Sequence, residues 1–252
     1  MTLLVGAACE SGAVLLTDSL AIIYRGQQAY FHLMPPRSRA KIGVLPHAHV
    51  GYCVAGAVQG GALFYGLGPL FFPPPEDFEA DSFEAAARLL YADFRARRPD
   101  LPDDDELRTL DGEPLPLEDK ERWQGQVLLV ANLRQEGPRL GRLDGQSEQW
   151  FDAGIVVSGA AEQWWKSTGR SNFPPHLPRH LGRVPERPTS LQECANAADA
   201  IARAYERHCY PDRPAVELLR DLARGQAVEL PTVAPPYRTL YCSSAEQVSL
   251  LA

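Results

Sequence analysis

The sequence predicts an α+β chain in which mostly antiparallel sheets are faced by helices, and three observations carry that reading. Apolar runs of strand length bounded by turn residues cluster near the N-terminus and again between residues 126 and 159. Two long segments switch to the three-to-four-residue period of an amphipathic helix. Along the chain the order is strands, helices, strands, helices, strand, which argues against the strict alternation that builds a parallel sheet.

Residues 3–9 and 13–18 are apolar runs parted by Glu10–Ser11–Gly12, where Gly12 can take the positive φ of a tight turn; this predicts a β-hairpin starting almost at the first residue. A longer excursion follows through Pro35–Pro36. "KIGVLPHAHVGYCVAGA" then reads as a second strand pair around Pro46–Ala48, ending in the small residues Ala55–Gly56–Ala57. "GGALFYGLG" predicts a short helix stopped by Pro69 and the prolines of 73–75. In "DSFEAAARLLYADFRARR", Phe83, Ala87, Leu90 and Phe94 fall on one helical face, with Asp81 and Glu84 spaced as a capping box. Residues 99–122 hold ten acidic and three basic residues without apolar periodicity, which predicts a solvated acidic loop insertion; "DDDE" lacks the alternating ligands and central glycine of a calcium loop.

Strands return at "QVLLVANLR", "RLGRLD", "QWF" and "GIVVSG". A short helix is predicted at "AAEQWWKSTG", with Trp164 and Trp165 as packing residues. A long one is predicted at "TSLQECANAADAIARAYERHC", with Thr189 and Gln192 as capping pair and Leu191, Ala195, Ala198, Ile201 and Tyr205 as the buried stripe. "AVELLRDLARG" predicts a helix stopped by Gly225, and "YRTLYCSS" a late strand.

At 252 residues the length suits one large domain, 1–252. Hydrophobic residues at 45% and charged residues at 23% are ordinary for a globular chain and argue against general disorder. A net charge of −7 without any run of lysine or arginine argues against nucleic acid as a partner. Apolar stretches are too short or too broken by glycine and proline to span a bilayer, and no basic region followed by an apolar core marks a signal peptide, so a soluble, cytoplasmic protein is expected. Cys9, Cys53, Cys194, Cys209 and Cys242 are scattered and odd in number; buried free thiols are expected in place of a disulfide framework or a zinc site. No metal or organic cofactor is expected.

Three residues suggest a chemistry. Thr2 opens a strand, Asp18 ends the hairpin's second strand, and Lys41 opens the next one. A threonine hydroxyl is a weak nucleophile until a base takes its proton. Removal of Met1 by an aminopeptidase, which acts before small residues, would free an α-amine on the same residue, a suitable base with a reference pKa of about 8. Lys41 would favour the alkoxide and Asp18 would hold Lys41, because a buried carboxylate needs a cation or several backbone donors. The small residues around Gly56 would let substrate approach the backbone, whose N–H at Gly56 could stabilise an oxyanion.

"TLLVGAACESGAVLLTDS", "KIGVL", "GYCVAGAVQGGALF" and "VVSGAAE", in this order, resemble the proteasome β-subunit family of N-terminal-nucleophile (Ntn) hydrolases, including its bacterial ancestral-β members. The likeness is firm over about the first 65 residues and thinner over 124–165. It implies a four-layer αββα sandwich, a threonine-type peptidase without cofactor, a peptide or unfolded-protein substrate and a homo-oligomeric ring, with any ATPase partner unknown. By the same resemblance Thr2 is the nucleophile, Asp18 and Lys41 its acidic and basic partners, Gly56 the oxyanion donor, and Ser158 the serine that bonds the terminal amine. Val54 and Val58 would line the specificity pocket.

Two departures accompany the likeness. The family's basic residue two after the aspartate is Leu20 here, and the aspartate and serine after its long helix are replaced by "RHCYPDR", where His208 or Asp212 are the candidate substitutes. These departures favour a second reading, a non-catalytic assembly subunit of the same fold. An amidase acting on small-molecule amides is a third, since one fold hosts several chemistries.

Overall fold

The structure is a computed structural model that describes residues 2–25, 28–33, 41–45, 48–55, 81–96, 127–134, 136–144, 147–168, 184–225, 231, 233–243 and 250–251. Its first sheet has the strand order β10-β1-β2-β11-β12: β1 is Leu3–Cys9, β2 Gly12–Thr17, β10 Gly154–Gly159, β11 Arg238–Ser243 and β12 Leu250–Leu251. A second five-stranded sheet runs β5-β6-β7-β8-β9, from Ile42–Leu45 through Val50–Ala55, Val127–Asn132 and Leu140–Asp144 to Glu148–Phe151. Between β2 and β5 the chain makes a separate hairpin, β3 (Leu20–Arg25) with β4 (Gln28–Leu33). All pairs among the described strands are antiparallel. The described helices are α1 (Phe83–Ala96), α2 (Glu162–Thr168), α3 (Leu191–Cys209) and α4 (Ala215–Ala223).

Both faces of β1 are buried, which explains why it reads as a continuous apolar run. Leu3, Val5, Ala7 and Cys9 join a cluster with Cys194, Ala198, Ile201 and Tyr205 of α3, whereas Leu4 and Ala8 pack into a second cluster with Ile42, Cys53 and Leu129 of the other sheet. The sheets approach closely along β1: a Cβ on Gly6 would lie 2.9 Å from Leu140 Cδ1. A third cluster sets Phe83, Ala87 and Leu90 of α1 against Val50, Tyr52, Leu128 and Val130. Burying each such leucine or phenylalanine contributes about 1.5–3 kcal/mol. The strands meeting at the site are thus backed by apolar packing on both sides.

Most elements lie where the sequence puts them, and Gly12 takes a positive φ of 142° in the β1–β2 turn. Both helix caps shift by one residue. Ser190, and not Thr189, caps α3, its hydroxyl accepting from Glu193 N–H at 3.2 Å, while Glu193 reaches back to Thr189. At α1 it is Ser82, and not Asp81, whose hydroxyl accepts from Ala85 N–H. The excursion after β2 contains the β3–β4 hairpin, which the apolar pattern did not mark as strands. The helix expected at "GGALFYGLG" and the acidic insertion at 99–122 lie outside the described residues.

Candidate active site

Thr2 stands just before β1 and is 8% exposed. Its carbonyl accepts from Ala160 N–H at 2.9 Å, which ties it to the end of β10. Gly159, at φ 70°, makes this approach possible: a Cβ there would lie 2.1 Å from the Thr2 carbonyl oxygen. On its other side that Cβ position is 3.3 Å from Cβ of Ala55, so the end of β6 lies beside Thr2. Tyr205 of α3 secures the same turn, its hydroxyl donating to the Ala160 carbonyl at 2.7 Å.

Asp18 follows β2 and is fully buried. Its Oδ1 accepts Leu3 N–H at 2.9 Å and Lys41 Nζ at 3.1 Å, and its Oδ2 accepts Leu20 N–H at 3.0 Å. Three donors on one carboxylate offset its loss of water. Lys41, 4% exposed, also donates to the Leu20 carbonyl. Burial holds its pKa below the ordinary lysine value against the opposing pull of Asp18, and the charge of Arg238 adds to the lowering. The ammonium is therefore held by a carboxylate that also binds the amide following Thr2.

Ser158 is buried on β10, directly across from Leu4, and its Oγ accepts from Arg142 Nε at 3.0 Å. Four of the expected site residues, Thr2, Asp18, Lys41 and Ser158, thus gather around the start of β1. Val54 is buried in the cluster beneath α1, whereas its neighbour Ala55 belongs to the cluster between the sheets. Gly56 and Val58 lie outside the described residues. His208 is exposed on α3, stacked on Trp164 at 5.9 Å between ring centroids, and Asp212 is exposed in the turn after that helix. Leu20 is buried in the apolar cluster under α3.

No family model matches the chain, and no curated protein does. Among solved structures, a mutant of Anbu from Hyphomicrobium sp. strain MC1 superposes with a TM-score of 0.51 over 99% of this chain and 85% of that one, at 13% identity. Anbu is a bacterial proteasome-like protein related to the Ntn hydrolases. The fold is proteasome-like. At this identity the similarity speaks for the fold alone.

Within the proteasome-like fold two arginines join the site that sequence reasoning missed. Arg238 opens β11 across from Thr17 and is 2% exposed; its Nε and Nη1 have no hydrogen-bond partner among the described residues, and burial lowers its pKa. Its signal was the alternation Arg238, Leu240, Cys242, which puts it in step with two core residues. Arg142 sits in β8 two residues from Leu140, a spacing that turns it to the same face, toward the first sheet. Three of the cysteines are bystanders: burial pushes the thiols of Cys53, Cys194 and Cys242 up, away from the reactive thiolate. Among the described residues no three His, Cys, Asp or Glu side chains gather as a metal site, and no helix is long and apolar enough to cross a membrane.

Proposed function

We propose that the chain is a threonine-type Ntn hydrolase that cleaves peptide bonds once Met1 is removed, built as a single four-layer αββα domain and assembled as a homo-oligomeric ring in the cytoplasm. The observation that carries this reading is the shared Asp18 oxygen, which accepts both Leu3 N–H and Lys41 Nζ and so sets a buried ammonium beside the start of β1. The α-amine of Thr2 takes the hydroxyl proton as Oγ1 attacks the substrate carbonyl. It then gives that proton to the leaving amine, and in the second half-reaction activates the water that hydrolyses the ester. Lys41 favours the ionised oxygen, Gly56 N–H serves the oxyanion, and Val54 and Val58 bound the pocket.

The decisive experiment treats the purified protein with a peptide boronate or epoxyketone and locates the adduct by mass spectrometry. An adduct on Thr2, lost together with peptide turnover in Thr2→Ala, supports the reading. Met1 retained on every chain with no adduct overturns it. That result favours the non-catalytic assembly subunit, a reading supported by the apolar burial of Leu20 and the exposure of His208 and Asp212.

A further inference from the structure

A network of charged side chains joins the two sheets and ends on Ser158. Arg142 donates Nε–H to Ser158 Oγ at 3.0 Å, while its Nη2 lies 3.2 Å from both carboxylate oxygens of Glu162 at the start of α2. Its Nη1 pairs with Asp144 Oδ2 at 2.5 Å, and Lys166 pairs with Glu162 at 2.6 Å. With 12% of its side chain exposed and a carboxylate on each Nη, the guanidinium is fixed in orientation, and its remaining edge meets the serine hydroxyl.

A hydroxyl has one proton to donate and two lone pairs. When a cationic N–H occupies one lone pair, the O–H becomes a stronger donor and the oxygen a poorer acceptor. A donated bond suits a neutral amine, which offers its lone pair; an ammonium would have to donate to the second lone pair of an oxygen that Arg142 has made a poorer acceptor. We infer that Arg142 is a positioning residue that directs the Ser158 hydroxyl proton toward the α-amine of Thr2 and so keeps that amine in its basic form. The inference rests on the proposed hydrolase reading, in which Ser158 bonds that amine.

The other charges around the start of β1 are separable from this effect. Asp18 favours the ammonium form, and Lys41 and Arg238 oppose it. Tyr205 and Tyr237 are held neutral by burial, their hydroxyls bonded to the Ala160 carbonyl and to Glu206. Asp144 and Glu162 offset the charges of Arg142 and Lys166, so Arg142 acts through the direction of the hydroxyl proton more than through net charge.

The test uses the chain released with Thr2 first by cleavage of a ubiquitin fusion. Competitive acetylation with acetic anhydride across pH, read on the N-terminal peptide by mass spectrometry, gives the amine pKa whether or not the protein turns over. Arg142→Gln raises that pKa by about one unit, leaving about tenfold less free base at lower pH. Arg142→Lys, which keeps a cationic donor, recovers part of the shift and carries the test if the glutamine variant does not fold. Glu162→Gln loosens the same network but leaves the Arg142 donor in place, so the pKa does not rise. In Ser158→Ala, Arg142→Gln adds no further shift. Equal amine pKa values in Arg142→Gln and Glu162→Gln, or none shifted, overturn the inference. The boronate assay on the same samples is separate: a shifted amine without any adduct refutes the hydrolase reading, and an adduct with an unshifted amine refutes the role of Arg142.

Discussion

Asp18 accepts three N–H donors in a space closed to water, and removing any one of them exposes the cost of burying charge. Lys41→Met leaves a carboxylate with two amide donors and no cation, and is expected to destabilise the protein by about 3–5 kcal/mol in urea unfolding. The double variant with Asp18→Asn buries no charge at this point and loses less than the two single variants sum to. The titration of Lys41 has a definite sign. Its folded pKa lies below the ordinary lysine value of 10.5, so between the two values the unfolded chain holds the extra proton and stability rises with pH. Below the folded value the burial penalty is present in full. Wild type therefore gains stability relative to Lys41→Met as pH climbs toward 10.5, and parallel profiles would refute the assignment. Gly159 is the other sensitive position. A methyl 2.1 Å from the Thr2 carbonyl oxygen cannot be accommodated, and φ 70° disfavours any side chain. Gly159→Ala is expected to cost about 2 kcal/mol or more and to release the start of β1, seen as faster amide exchange at Ala160.

The two long helices show how far periodicity reads. Ala195, Ala198, Ile201 and Tyr205 are buried as the three-to-four spacing of α3 requires, and Phe83, Ala87 and Leu90 of α1 likewise. The boundary is read less well, because Thr189–Gln192 and Ser190–Glu193 are both capping frames and only the backbone decides between them. Ser190→Ala is expected to lower stability by about 1 kcal/mol, since the Glu193 N–H loses its acceptor. Gln192→Ala, at an exposed site, stays within about 0.5 kcal/mol of wild type. Thermal or urea melts that reverse this order would restore the Thr189 frame. The β3–β4 hairpin escaped sequence reading because "LAIIYRGQQAYFHL" has no two-residue alternation to separate strand from any other apolar run.

Across the whole molecule the legible part of the candidate site is the part carried by local sequence. Thr2, Asp18, Lys41 and Ser158 each stand at or near a strand end within a recognisable short stretch. Arg142 and Arg238 matter only because β8 and β11 are brought against distant strands; the alternation turns each inward but does not record which strand it meets. Their surroundings differ sharply. Arg142 is matched by two carboxylates, whereas Arg238 is buried with two nitrogens that find no partner among the described residues, near a lysine and aspartate whose charges already cancel. A guanidinium does not shed its proton in a protein, so among the described residues this end of the space between the sheets carries one positive charge more than it has carboxylates to match, relieved if Lys41 gives up its proton. Arg238→Met keeps much of the side chain's length and removes the charge. It is expected to stabilise the fold by about 1–4 kcal/mol, as when buried ions yield to apolar residues of similar volume. It also raises the Lys41 pKa by removing one of the influences that lower it, which shortens the alkaline range over which stability climbs. A less stable Arg238→Met protein with an unchanged alkaline profile would mean that the guanidinium is neither unpaired nor felt by Lys41.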